Sequence, residues 1–199
     1  MISADEFLNS MGTVHSSHDG RVNDQASSAD CGNEPSTPKT VDQQSEEQKR
    51  FESCKEAALR SLDAAPRSSS DLAKRLRLKD YEEDVVSAVI QRLQELGLLD
   101  DEDYARSLLR YCLQRDMGER GVRMEMSRKG VEASLAISLI DEAAERGLFI
   151  DAAYELGRTV ERRSRGLERK VRMRRLWSAG GRKGHNPDIL RQVYADVFI

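Results

Sequence analysis

The sequence predicts an all-α protein: three tandem three-helix repeats in an extended, curved stack, preceded by a disordered N-terminal tail. Three observations carry that expectation. Of 199 residues, 34% are charged and 5% aromatic, with four prolines, a balance that favours helices over strands. After Lys49 the apolar residues recur with helical spacing. The stretch QELGLLDDEDYARSLLR at 94–110 also returns as AERGLFIDAAYELGRTV at 144–160, so the chain states one junction twice.

Residues 1–49 hold nine acids and three bases, a net charge of −6, with almost nothing apolar between Asn9 and Gln48. Such a segment cannot bury enough surface to offset the cost of ordering its backbone, and it reads as a disordered acidic tail. Within it DEFLNSM reads either as a short docking helix or as a frayed end.

The first unit, 50–100, is expected to place helices at 50–63, 70–78 and 82–96. Its clearest amphipathic face is Val85, Val86, Val89, Ile90, Leu93 and Leu96. The second unit, 101–150, repeats that face fifty residues on as Leu135, Ala136, Leu139, Ile140 and Ala143, with helices at 101–115, 119–129 and 132–146. Ile90 and Ile140 are thereby expected at equivalent buried positions. The third unit, 151–199, shows the face again as Ile189, Leu190, Val193, Tyr194 and Val197, with helices at 151–164, 168–179 and 187–198. The middle helices agree, since ERGVRM at 119–124 returns as ERKVRM at 168–173. Gly97, Gly130, Gly147 and Gly184 suit the left-handed conformation that ends a helix, and Asn186-Pro187 reads as an N-cap followed by the first helical position. Asp100, Asp101, Glu102 and Asp103 read as charges that start a helix. Each unit has an apolar stripe too small for a core of its own, so neighbours must stack.

The chemistry-bearing residues exclude more than they suggest. There is no GxxxxGK[ST] loop and no strand followed by GxGxxG, so no nucleotide site is expected. His15 and His18 stand in the tail without further ligands, and His185 stands in a turn without a partnered nucleophile, so neither a metal, a cofactor nor an enzymatic activity is expected. Cys31, Cys54 and Cys112 are odd in number and show no CxxC spacing, which points to a reducing compartment. The N-terminus has no basic region followed by an apolar one, and nothing is long and apolar enough to span a bilayer, so a cytoplasmic monomer without membrane contact is expected.

The informative feature is basic. Residues 151–199 hold twelve bases against six acids, and 158–185 hold eleven against two. Arginine predominates, which suits bidentate contacts to phosphate or carboxylate. The candidate contact residues in this third are Arg162, Arg163, Arg165, Arg169, Lys170, Arg172, Arg174, Arg175, Arg182 and Lys183. A weaker set on the middle unit is Arg120, Arg123, Arg128 and Lys129. The competing reading is a solvated helix face, although such faces ordinarily mix signs for pairing at i, i+4. Of Arg169, Arg172 and Arg175, at least two are expected to face solvent. Trp177 suits either base stacking or the core, and GGRKG at 180–184 either a phosphate cradle or an inter-helix turn.

YEEDVVSAVIQRLQELGLLDDEDYARSLL, followed by GERGVRMEMSRKGVEASLAISLI, resembles the RecX family of regulators of the RecA recombinase. ELGLLDDEDYA at 95–105 is the most specific part, and the resemblance covers roughly 50–199. MEMSRKG and SAGGRKGHNP depart from the family pattern. The resemblance implies a non-catalytic helical-repeat protein that binds the RecA–DNA filament and restrains its ATPase and strand exchange. Its basic residues would then meet acidic RecA surface, or single- or double-stranded DNA directly. Two other readings remain: a winged-helix DNA-binding regulator, which needs a β-hairpin after Leu99, and a helical scaffold without nucleic-acid affinity.

Overall fold

The computed structural model describes residues 41–198. Among these residues there are nine α-helices and no strand. They are α1 (Val41–Ala64), α2 (Ser69–Arg77), α3 (Glu83–Glu95), α4 (Asp101–Gln114), α5 (Glu119–Arg128), α6 (Ala133–Glu145), α7 (Leu148–Ser164), α8 (Arg169–Lys183) and α9 (Pro187–Val197). The expectations for residues 1–40, including DEFLNSM, His15, His18 and Cys31, lie outside the described residues.

Three helices pack around each of three apolar clusters. Leu72, Leu76, Val86, Val89, Leu93 and Leu99 lie in the first. Adding fifty to each number gives Val122, Met126, Ala136, Leu139, Ala143 and Phe149, all in the second. The third is smaller, with Ala153, Leu176, Leu190, Val193 and Phe198 fully or nearly buried and Trp177 packed against it. The repeat read from the sequence is therefore a repeat of buried positions. Gly97, Gly130, Gly147 and Gly184 all take positive φ, between 65° and 78°. Asn186 caps α9 by accepting from the Asp188 amide at 2.8 Å, with Pro187 in the first turn.

Four details differ from the sequence expectation. The first helix begins at Val41 rather than at 50. Its added turns are polar but built from straight-chain Gln, Glu and Lys, which propagate a helix already nucleated on a core, and Lys49 pairs with Glu46 at 2.8 Å. Leu96, expected on the buried face, is exposed, because the chain turns at Gly97 and Leu99 takes the core position instead. As part of this second difference, on the same expected face of α3, Ile90 is only half-buried, whereas Ile140 is fully buried. The third difference is at α7, which starts at Leu148 rather than at 151. In the first unit Asp100 caps α4, its carboxylate accepting from the amides of Glu102 and Asp103 at 2.9 Å. The equivalent residue is Ile150, which cannot cap, so the helix runs back to Gly147. Fourth, α8 continues to Lys183 rather than ending at 179. Gly180 and Gly181 are helical, and a Cβ at Gly180 would lie 2.4 Å from Leu190 Cδ1. The glycine lets α9 rest directly on the α8 backbone.

Candidate anion-binding interface

In the third unit α7 buries a stripe of Ala152, Ala153, Leu156 and Gly157. A Cβ at Gly157 would sit 2.3 Å from Val193 Cγ1, so α9 closes tightly on α7 as it does on α8. The apolar seam of α8 is thin: only Leu176 and Gly180 are buried. What remains of α8 is cationic surface. Together α7 and α8 form a groove of about 400 Å³ lined by Val160, Arg163, Arg174, Arg175, Ser178, Ala179 and Arg182.

The four groove arginines are exposed. Among the described residues no carboxylate lies within ion-pair distance of any of them. Arg175 donates to the Arg163 carbonyl at 3.3 Å, and Arg182 donates to Ser178 Oγ. These bonds orient two guanidinium groups without neutralising them, and a neutral acceptor leaves the charge available for an anion.

The remaining expected residues behave differently. Arg165 pairs with Glu161 at 3.1 Å. Arg172 is half-buried, 3.9 Å from the same carboxylate and over the Phe198 ring at 5.1 Å. Its Nε is buried without a hydrogen-bond partner. Of Arg169, Arg172 and Arg175, the first and last face solvent, as expected, while Arg172 belongs to the packing of α8 on the C-terminus. Arg162, Arg169 and Lys170 are exposed.

On the middle unit Arg120 is exposed, Arg123 pairs with Glu119 at 3.0 Å and Arg128 pairs with Glu125. Lys129 is half-buried and its carbonyl accepts from Ser68 Oγ at 2.8 Å. Lys183 is half-buried at the contact between second and third units, where its ammonium lies 3.3 Å from Asp116 and also donates to the Arg115 carbonyl. The expected residues are thus not one set: four line the α7–α8 groove, others are held in ion pairs, and two sit at junctions between units.

The sequence reading missed two residues here. Arg115, at the C-terminal end of α4, joins Asp116, Met117, Arg182 and Lys183 around a second cavity of about 360 Å³. Its guanidinium lies 5.3 Å from the centre of the Tyr111 ring and donates to the Tyr111 hydroxyl at 2.6 Å. Their spacing of four residues on one helix was a usable signal.

Nothing in the described residues assembles a nucleophile with a base. Cys54 and Cys112 are free and buried. Burial pushes the Cys112 thiol up to about 11, so it is protonated at neutral pH. His185 is 7% exposed and its Nε2 lies 2.8 Å from the Asp116 carbonyl oxygen. No group of three His, Cys, Asp or Glu among the described residues could hold a metal, and no described helix is long and apolar enough to cross a membrane.

Fold and site together define a tandem-repeat helical protein with a cationic groove at one end of the chain. Residues 54–93 match the model of the first three-helix domain of RecX, and residues 100–137 match that of the second. A regulatory protein RecX from Mycolicibacterium smegmatis is 34% identical over 168 residues, covering 80% of this chain and 87% of its own. One from Streptomyces coelicolor is 32% identical over 146 residues, covering 71% and 76%. The crystal structure of RecX from Lactobacillus salivarius shares the fold, with a TM-score of 0.65 at 22% identity over 76% of this chain and 98% of that one. The chain belongs to the RecX family of regulatory proteins.

Proposed function

We propose that this protein binds the RecA–DNA filament and restrains its ATPase and strand exchange without catalysing a reaction of its own. Family membership supports the partner. The observation that carries the mode of contact is the α7–α8 groove, where four exposed arginines stand without carboxylate partners. Many solvated bases here pair, as Arg106 does with Glu102 and Arg123 with Glu119, while the groove gathers four that do not. The winged-helix alternative loses its support, since the residues after Leu99 form α4 and not a hairpin.

The test is RecA ATPase on single-stranded DNA, titrated with the parent and with Arg169→Glu/Arg175→Glu. Both residues are exposed, and Arg172 stays intact because it packs on Phe198. The parent should slow turnover, and the variant should need a higher concentration to do so while melting at the same temperature. A parent without effect at any ratio to RecA would end the regulator reading.

A further inference from the structure

The acids of the third unit are engaged away from the α7–α8 groove. Glu155 pairs with Arg158, Glu161 with Arg165 at 3.1 Å and Asp188 with Arg191 at 2.7 Å, while Asp196 accepts from the Tyr154 hydroxyl at 2.5 Å. Arg163, Arg174, Arg175 and Arg182 are left around one hollow of about 400 Å³, which Val160 and Ala179 also line. Like charges gathered in so small a volume repel, and that repulsion disfavours the compact state. Two of the four are also held in place. Arg175 donates across from α8 to the Arg163 carbonyl of α7 at 3.3 Å, and Arg182 donates to Ser178 Oγ. The groove thus carries an electrostatic cost that an anion would remove, and part of the side-chain freedom that binding must freeze is already gone.

We infer that the groove is a binding site for one compact polyphosphate, either the triphosphate chain of a nucleotide or a short inorganic polyphosphate. The inference rests on the proposed function only for its consequence, that a filled groove withdraws these arginines from the filament. Charge density selects the ligand. The hollow has the size of a small-molecule site. A polyphosphate concentrates several charges on adjoining phosphorus atoms, whereas a carboxylate surface or a polymer backbone spreads them out. Guanidinium groups bind phosphate oxygens in pairs of hydrogen bonds. The Ser178 hydroxyl, exposed on the same lining, accepts from Arg182 and has its own proton to donate to a further oxygen. No described aromatic residue lines the groove, so the phosphate chain and not a base is what it reads.

The experiment is calorimetry and thermal melting of the full chain with inorganic tripolyphosphate, ATP and AMP, all free of magnesium, and with sodium sulfate at matched ionic strength. Tripolyphosphate should bind at one site per chain and, at about ten times its Kd, raise the melting temperature by about 3–6 °C. ATP should match it, and AMP, with a single phosphate, should bind at least about tenfold more weakly. Arg163→Gln/Arg174→Gln should weaken tripolyphosphate about a hundredfold. Both side chains are exposed, so the ligand-free variant should melt no lower than the parent. Arg106→Gln/Arg146→Gln removes the same charge from exposed positions of the second unit and should leave the affinity unchanged.

A melting temperature that tripolyphosphate does not move would overturn the site. So would sulfate acting as strongly as tripolyphosphate, or equal losses in the two double variants, since either would reduce the binding to general charge. A tenfold preference for ATP over tripolyphosphate would overturn the claim that the chain alone is read. RecA ATPase on the same preparations separates this inference from the reading it rests on. One-site binding by a protein that never slows the ATPase keeps the inference and ends the regulator reading. A protein that slows the ATPase but takes up no tripolyphosphate does the reverse.

Discussion

The two junctions between units are made from the same parts and close to different depths. In each, the Arg-Lys-Gly end of one middle helix meets the start of the previous middle helix. At the first junction the Lys129 carbonyl accepts from the Ser68 side chain at 2.8 Å. At the second the Lys183 carbonyl accepts from the Gly118 backbone amide at 2.9 Å. Gly118 is the equivalent of Ser68, so removing one side chain lets backbone touch backbone. A methyl group at Gly121 would lie 2.2 Å from the Lys183 oxygen, and one at Gly118 would lie 2.5 Å from His185 Cα. Asp71 occupies the place of Gly121 in the first unit, where it pairs with Arg67 and Arg75 at 3.0 Å. The first junction is thus held by polar side chains, with Asp101 also accepting from the Ser69 amide at 2.8 Å. The second adds close backbone packing to its polar contacts, the Lys183–Asp116 ion pair and the His185 bond to the Asp116 carbonyl. The lesson is that a repeat protein sets the rigidity of each joint with one or two residues while its cores stay alike.

The largest expected difference between the joints is in burial. Ile140 is fully buried in the second cluster, so Ile140→Asp should lose about 3–5 kcal/mol in urea unfolding. Ile90→Asp, at the equivalent half-buried site, should lose only about 1–2 kcal/mol. Equal losses would mean that the first joint closes as fully as the second in solution.

Next come the glycines. Gly184 and Gly97 share a left-handed backbone, with φ of 78° and 65°. Alanine at Gly97 would meet open space and should cost about 1–2 kcal/mol from the backbone alone. Alanine at Gly184 would place its methyl 2.2 Å from the Gly121 nitrogen, and should lower the melting temperature well beyond the Gly97 variant. Matching melting temperatures would show that the second joint is loose. At the first joint, Ser68→Ala removes both the cap on α2, which bonds the Asp71 amide at 3.2 Å, and the bond to Lys129. A loss of about 1 kcal/mol is expected, and no measurable loss would show that joint to be mere proximity.

The smallest effect is on pH. Burial lowers the His185 pKa from 6.5, against the Asp116 carbonyl, which raises it. The unfolded chain therefore takes up the proton first on acidification. The stability from neutral His185 is complete above about pH 6.5 and is lost as pH falls toward the folded value. Thermal melts of the parent should show this decline and His185→Gln should flatten it, with Lys183 and Asp116 left in place. A decline of equal size in both would assign it to carboxylates elsewhere.

Much of this was legible in the residues. The apolar face at fifty-residue spacing gave the buried positions because burial follows periodicity, and Asn186-Pro187 gave a helix start because caps are local chemistry. Even the contrast between joints lay in two aligned positions, Ser68 against Gly118 and Asp71 against Gly121. Gly121 becomes Lys170, which is exposed, in the last unit. Three things were not legible. Ile90 and Ile140 look alike in sequence, because their difference depends on how closely the next unit approaches. The union of Arg115 with Arg182 is made by tertiary contact alone. Arg172 looks like its neighbours until the C-terminal Phe198 folds beneath it.

The early start of α7 puts the duplicated stretch of sequence out of step with the piece that folds. Phe149 lies on the first turn of α7 yet is buried in the second cluster, while Ala153, one turn later, is buried in the third. A single rigid rod is therefore rooted in two cores, and the last two units cannot be parted at residue 150 without breaking it. Leu99 serves the first cluster from a loop instead, before α4 begins. A gene rearrangement could divide the chain after the first unit and leave whole helices on both sides, whereas the second and third units must be inherited together.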